Sequence, residues 1–337
     1  MTRITLFVGL DYHQSGVQVC VMDRMGKLLA NRKCNNEWRA VAAIVMPYGG
    51  EVHAAIEACS GAADLADQLV QEAGWSVDLA HPGYVARIKQ SPDKTDYGDA
   101  QLLADLERVG YLPRVWHAPE IIRELRRLVR YRQQLVARRR NAKLRVQALL
   151  RDHRLACPGV RPWTKCWMAW LHNMDQLPDH SRWILERHLV ELRSVLEQIR
   201  DVEKRLEKTI SGDKLVGDLL KVRGIGLVTA VTLRAEIGRF DRFRSGKQLA
   251  RFCGVSPRNA SSGTRQADAG LVKAGNPELR RVLTEAAHRL MRQDDRWLAM
   301  SHRLQQQGKR KCVIVAAVAN RWVRSLYHQF QAYGLAS

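Results

Sequence analysis

The chain has no Cys-x-x-Cys pair, and its seven cysteines (20, 34, 59, 157, 166, 253 and 312) are scattered and odd in number. That excludes a disulfide framework and a zinc knuckle, and it suits a reducing cytosol. None of the eleven histidines stands four residues from another, so the paired-histidine helical zinc motif is absent as well. A signal-peptide pattern is lacking, and the longest apolar stretch, Cys312 to Asn320, is far too short to span a bilayer. These absences together lead us to expect a soluble cytoplasmic protein. Acidic residues are also scarce, but only in part of the chain. Residues 1–116 hold 11 Lys/Arg against 14 Asp/Glu, a net of −3; the totals of 55 and 34 then leave 44 against 20 for the remainder, a net of +24. A basic region beside a mildly acidic one points to a nucleic-acid partner, ahead of a merely solvated basic surface or an anionic membrane.

With 337 residues there is room for two or three domains. The pattern predicts a buried strand at 4–10, a half-exposed strand at 16–23 and its hairpin partner at 26–34. A helix at 37–46, a strand at 52–57, a helix at 61–73 and a strand at 76–80 follow, the last ended by His81-Pro82-Gly83. This order predicts an α/β domain over 1–116, its sheet having neighbours on both sides of the first strand. Residues 117–212 read as a basic helix and a coiled coil. Apolar residues at 121, 125, 128, 135, 142, 146 and 149 keep heptad spacing, with Arg132 and Arg139 intruding. A second run, Leu185, Leu189, Leu192, Leu196, Ile199, Leu206 and Ile210, is broken by Glu203. Such runs form either an antiparallel arm or two seams offered to another subunit. The third region, 213–337, reads as all-α. It has a Gly-Ile-Gly break, a Gly-rich loop over 254–275, and closing helices at 277–306 and 310–332, the first started by Asn276-Pro277-Glu278.

Four carboxylates carry the chemistry. Asp11 and Glu57 each close an apolar run, and Asp96 and Asp99 lie three apart at a helix start, which puts them on one face. Like charges gathered this way are stabilised by a divalent cation, and such a cluster suits two Mg²⁺ ions acting on a phosphate. For Asp96 and Asp99 alone, complementing the helix dipole is an equally good account. Gly224-Ile-Gly226 resembles a helix-hairpin-helix turn whose amides seat a backbone phosphate, or it is a plain tight turn. Twelve Lys/Arg against two acids over 121–154 make that helix a candidate phosphate track, through Arg126, Arg127, Arg130, Arg138, Arg139, Arg140 and Lys143. Arg258, Arg265 and Lys273 flank a loop containing Ser261-Ser262-Gly263, where a serine by itself reads as a turn residue.

The motifs Gly9-Leu-Asp11, Ile56-Glu-Ala58, Lys94-Thr-Asp-Tyr-Gly-Asp-Ala100, Gly224-Ile-Gly226, Phe252-Cys-Gly-Val-Ser-Pro-Arg258, Ser262-Gly263 and Lys273-Ala-Gly275 occur in that order. In this the chain resembles the DEDD transposases of insertion sequences, the bridge-RNA-guided recombinases. The resemblance implies an RNase H/RuvC-like mixed sheet at the N-terminus, a coiled coil and a C-terminal transposase domain. It implies that Asp11, Glu57, Asp96 and Asp99 bind Mg²⁺ and that Ser262, with Ser261 as the adjacent alternative, attacks DNA to give a 5′-phosphoserine link. It further implies double-stranded target and donor DNA, a structured noncoding guide RNA, and a dimer that becomes a tetramer in the synaptic complex. The rival reading is a metal-dependent Holliday-junction-type endonuclease that forms no covalent intermediate.

Overall fold

A computed structural model describes residues 4–89, 95–157, 159–259 and 268–334, and its contacts divide the chain into two units, Met1–Ala118 and Pro119–Ser337. In the first unit the strands are β1 (Thr5–His13), β2 (Gly16–Met22), β3 (Leu28–Cys34), β4 (Glu51–Glu57), β5 (Ser76–Ala80) and β6 (Arg114–Val115). The helices are α1 (Trp38–Val45), α2 (Ala62–Ala73), α3 (Pro82–Ile88) and α4 (Asp96–Arg108). The six strands form one mixed sheet in the order β3-β2-β1-β4-β5-β6, with β1 antiparallel to β2 and parallel to β4. Alternation along β1 sends Leu6, Val8 and Leu10 into a core shared with Val41, Val45, Leu65 and Leu69 of α1 and α2. The intervening residues face α4, which packs Ala100 and Ala104 against Phe7, Cys20 and Met22.

That second cover corrects two expectations. Strand β2 is buried along its whole length rather than half-exposed, because α4 lies over the face that alternation assigned to solvent. Pro82 does not merely end β5; it opens α3 at the first helical position, where its missing N–H leaves no bond unmade. Strand β6 was not expected. It has two residues and too little pattern to read.

The second unit begins with α5 (Glu120–Asp152), α6 (Lys165–Asn173) and α7 (Asp179–Thr209), followed by α8 (Lys214–Lys221), α9 (Leu227–Ile237) and α10 (Gly246–Phe252). Helices α5 and α7 pack antiparallel within the chain: Leu125 and Val129 meet Leu206, Leu135 meets Val195, Ile199 and Val202, and Val146 and Leu150 meet Leu185. The α5 seam is displaced by one residue at both ends from the expected heptads. Ile122 and Leu150 are buried while Ile121 is exposed. The two polar interruptions face each other, with Arg132 Nε donating to Glu203 Oε1 at 2.7 Å.

The Gly-rich stretch is not all loop. Strands β7 (Pro257–Asn259) and β8 (Asp268–Leu271) pair antiparallel, Asn259 opposite Asp268. The expected helix over 277–306 is two, α11 (Pro277–Gln293) and α12 (Asp295–Gln306). Asp294 ends the first and caps the second, accepting from the amides of Arg296 and Trp297. Asn276 caps α11 in the same way, as its sequence suggested. Helix α13 (Lys311–Phe330) completes a core built on Leu233, Phe240, Leu283, Val318, Trp322 and Phe330.

Candidate metal site and nucleic-acid surfaces

Gly9 decides how close α4 comes to the sheet. A Cβ there would lie 1.8 Å from the Ala100 carbonyl oxygen, so the helix backbone rests directly on β1. Two residues on, Asp11 points to the same face. The parallel register of Gly9 with Ala55 and Leu10 with Ile56 brings Glu57 to that face at the end of β4. Thr95 caps α4, accepting from the Gly98 amide at 3.1 Å, and the first turn carries Asp96 and Asp99. The strand end and the helix start therefore bring Asp11 and Asp96 together, whereas Glu57 and Asp99 stand outside the group of ligand atoms that these two form.

His13, also two residues from Asp11 along the strand, places Nε2 3.2 Å from Asp11 Oδ2 and 3.3 Å from Asp96 Oδ1. Lys33 Nζ reaches Asp96 Oδ2 at 3.3 Å, and Lys89 pairs with Asp99. Ligand atoms of Asp11, His13 and Asp96 all lie within 4.8 Å of one another. Burial raises the pKa of Asp11, the negative charges of Asp96 and Asp99 add to that, and His13 opposes them. Asp96 is held low, first by its bond to Lys33. The thiol of Cys59 is raised by burial and then by Glu57 and Asp11, so both carboxylates act at one point. Carboxylate oxygens and an imidazole gathered this closely suit a hard divalent cation, which prefers oxygen donors. Sequence reasoning missed Lys33, whose partner lies 63 residues away, and Lys89, whose partner lies ten residues on in the next helix. The sequence placed His13 near Asp11 but favoured a packing or surface role for it over ligation, and the grouping with Asp96 depends on α4.

Ser262, Ser261, Arg265 and Lys94 lie outside the described residues. The described residues on either side of the serines are tied to the C-terminal helices. Arg258 is exposed on β7 and Lys273 is exposed just past β8. Arg280 donates to the carbonyls of Gly254 at 2.9 Å, Gly275 at 3.1 Å and Val272 at 3.2 Å, tying the approaches to both strands to α11. Asn320 of α13 adds a bond to the Val255 carbonyl at 3.2 Å.

The Gly-Ile-Gly turn joins α8 to α9. Gly224 takes φ +86° and its carbonyl accepts from Arg289 Nη2 at 3.0 Å, while Gly226 is the N-cap of α9. Along α5 the cations divide into two groups. Arg127 pairs with Glu120 and Glu124. Arg130 Nε donates to Glu236 Oε1 at 3.0 Å, and Arg126 bonds the Ala235 carbonyl at 3.0 Å beside the same acid. Glu236, 4% exposed, also accepts from Asn276 at 2.9 Å. An acid buried this deeply requires such partners. Among the described residues Arg138, Arg139 and Arg140 have no acidic partner. Lys143 stands 4.8 Å from the Trp163 ring, its pKa lowered by burial and by Arg139.

Residues 8–154 match a family model described as "Transposase", for DEDD transposases of the IS110 type, and residues 217–303 match one described as "Transposase IS116/IS110/IS902 family". The chain is 32% identical over 220 residues to y4qE of Sinorhizobium fredii, provisionally named a transposase; the match covers 65% of this chain and 54% of that relative. It is 25% identical to the transposase for insertion sequence element IS1111A of Coxiella burnetii, over 92% of this chain and 86% of the relative. The transposase for insertion sequence element IS1328 of Yersinia enterocolitica is 26% identical, over 85% and 84%.

Proposed function

Because this chain belongs to the IS116/IS110/IS902 transposase family, we propose that it cuts and exchanges DNA strands through a divalent-cation site at Asp11, Glu57, Asp96 and Asp99 and a serine nucleophile at Ser262. The observation that carries this reading is the convergence of Asp11 with Asp96 and Asp99 where α4 starts, on the face that Gly9 leaves open. Mg²⁺ held by these carboxylates, as two ions, would supply charge neutralisation for phosphate oxygens. Ser262 Oγ attacks the phosphorus, the bond to the 3′ oxygen breaks, and the serine proton passes to solvent or a base. A free 3′-hydroxyl later attacks the phosphoserine and releases the serine. The bond count is unchanged, so strand exchange needs no external energy source. An RuvC-like sheet suits this role for the first unit. A noncoding RNA pairing with target and donor DNA would set sequence choice, leaving Arg138, Arg139 and Arg140 to hold backbone and Gly224-Ile-Gly226 to seat a phosphate. Assembly as a dimer, and as a tetramer around both DNAs, belongs to the same reading.

The deciding measurement is a search for a protein–DNA adduct mapped by peptide mass. An adduct at Ser262, absent in Ser262→Ala, supports strand exchange. A Ser262→Ala variant that still cuts DNA at full rate would show hydrolysis by the acidic site alone, as in a junction endonuclease.

A further inference from the structure

A second feature of the first unit has no part in the metal site. Tyr84, Arg87 and Ile88 of α3 and residues Gly110 to Pro113 line a cleft of about 400 Å³. Both tyrosines are exposed, Tyr84 by 51% and Tyr111 by 70%, although each is held by well-anchored backbone. Tyr84 sits in the first turn of α3, where its amide donates to the His81 carbonyl at 3.0 Å and its ring lies 4.7 Å from the His81 ring. The His81 amide in turn donates to the Pro113 carbonyl at 2.8 Å, joining the two walls. Tyr111 is fixed by the end of α4. Gly110 adopts φ +69°, its amide bonds Glu107, and the Tyr111 amide bonds the Leu106 carbonyl at 2.9 Å, a Schellman termination. Arg87 places its guanidinium 5.5 Å from the centre of the Tyr84 ring.

Two largely exposed aromatic rings on fixed backbone, with an arginine lining the same cleft, are the elements of a base-stacking platform. The cleft has room for one planar heterocycle, and the Arg87 charge suits its adjoining phosphate. Position names the source. Residue Ile88 lines the cleft, and the next residue, Lys89, pairs with Asp99 of the acidic site. We propose that this cleft receives one unpaired nucleobase of the nucleic acid on which the acidic site acts, stacked on Tyr84 and Tyr111. This rests on the nucleic-acid function proposed above and adds that the first unit distinguishes an unpaired nucleotide from continuous duplex.

The test uses the full chain with Ca²⁺ in place of Mg²⁺ and DNA duplexes that are fully paired or carry one unpaired 5-iododeoxyuridine. Stacking on an aromatic contributes about 1–3 kcal/mol per base, so the unpaired duplex is expected to bind roughly 5- to 150-fold more tightly. Irradiation is expected to cross-link the iodinated base to Tyr84 or Tyr111. Tyr84→Ala and Tyr111→Ala should each reduce the preference, while Tyr84→Phe keeps it. Equal affinity for both duplexes, or a cross-link mapped elsewhere, overturns the proposal and leaves the DNA function standing. Failure to bind either duplex sinks both.

Discussion

Asp11 stands half-buried between two carboxylates of its own sign, and its pKa is raised by burial and by those neighbours. Removing its charge relieves repulsion while deleting a donor. Asp11→Asn is therefore expected to lose Mg²⁺ or Mn²⁺ affinity at least tenfold in titration calorimetry, with a melting temperature equal to or above that of the parent protein. A large fall in melting temperature would instead make Asp11 a structural residue. The cysteines give a separate check at this scale. Cys20 is buried and its pKa is pushed up to about 12, and burial raises Cys253 as well, whereas Cys166 and Cys312 are exposed. Alkylation needs the thiolate, so iodoacetamide is expected to label Cys166 and Cys312 in the native protein and to spare Cys20 and Cys253. Peptide mass mapping reads the outcome. The acids were legible in the sequence because each ends a strand or starts a helix. Lys33 was not, because an ion pair between residues 63 apart leaves no local pattern, and Lys89 was not, because the ten positions between it and Asp99 span no single helix or strand.

Helix α4 shows what an element can hide. Its apolar residues are mostly small where it meets β1, and that choice, together with Gly9, sets the distance between helix and sheet. Gly9→Val is expected to push α4 away, costing about 1–3 kcal/mol in denaturant unfolding. It should also weaken metal binding, although Gly9 touches no metal. If affinity survives the substitution, contact with α4 is not what positions Asp96 and Asp99. The sequence showed the strands through their apolar runs, but not that two helical layers cover β2, since burial on a second face depends on a helix some eighty residues away. The α5–α7 pair was legible as two heptad runs, and the facing of Arg132 and Glu203 was not, because register across an antiparallel pair depends on the connector. Glu203→Leu leaves Arg132, 13% exposed, without its partner and is expected to destabilise the chain by about 1–3 kcal/mol. Arg132→Leu with Glu203→Leu should recover most of that loss.

Across the whole chain the charge of +21 is concentrated after residue 118, yet its arginines fall into distinct groups. Near the start of α5 they are occupied by Glu120, Glu124, Glu203 and Glu236; further along, Arg138, Arg139 and Arg140 have no acid beside them among the described residues. Neutralising those three to Gln is expected to lower nucleic-acid affinity for every sequence alike and to reduce the slope of log affinity against log salt by about 2 to 3. Arg130→Gln should instead lower stability and leave the slope nearly unchanged, which filter binding over a salt series and thermal melting together can separate. The count of basic residues announced a nucleic-acid partner. It did not say which cations were free, because that depends on Glu236 meeting α5 from more than a hundred residues away.

This division gives ionic strength two different effects on one helix. Exposed cations lose their hold on phosphate as salt rises, whereas the pairs around buried Glu236 are screened far less. A change in the surrounding electrolyte can thus detach a polyanion while the scaffold that presents it keeps its shape, so release requires no unfolding and recapture no refolding.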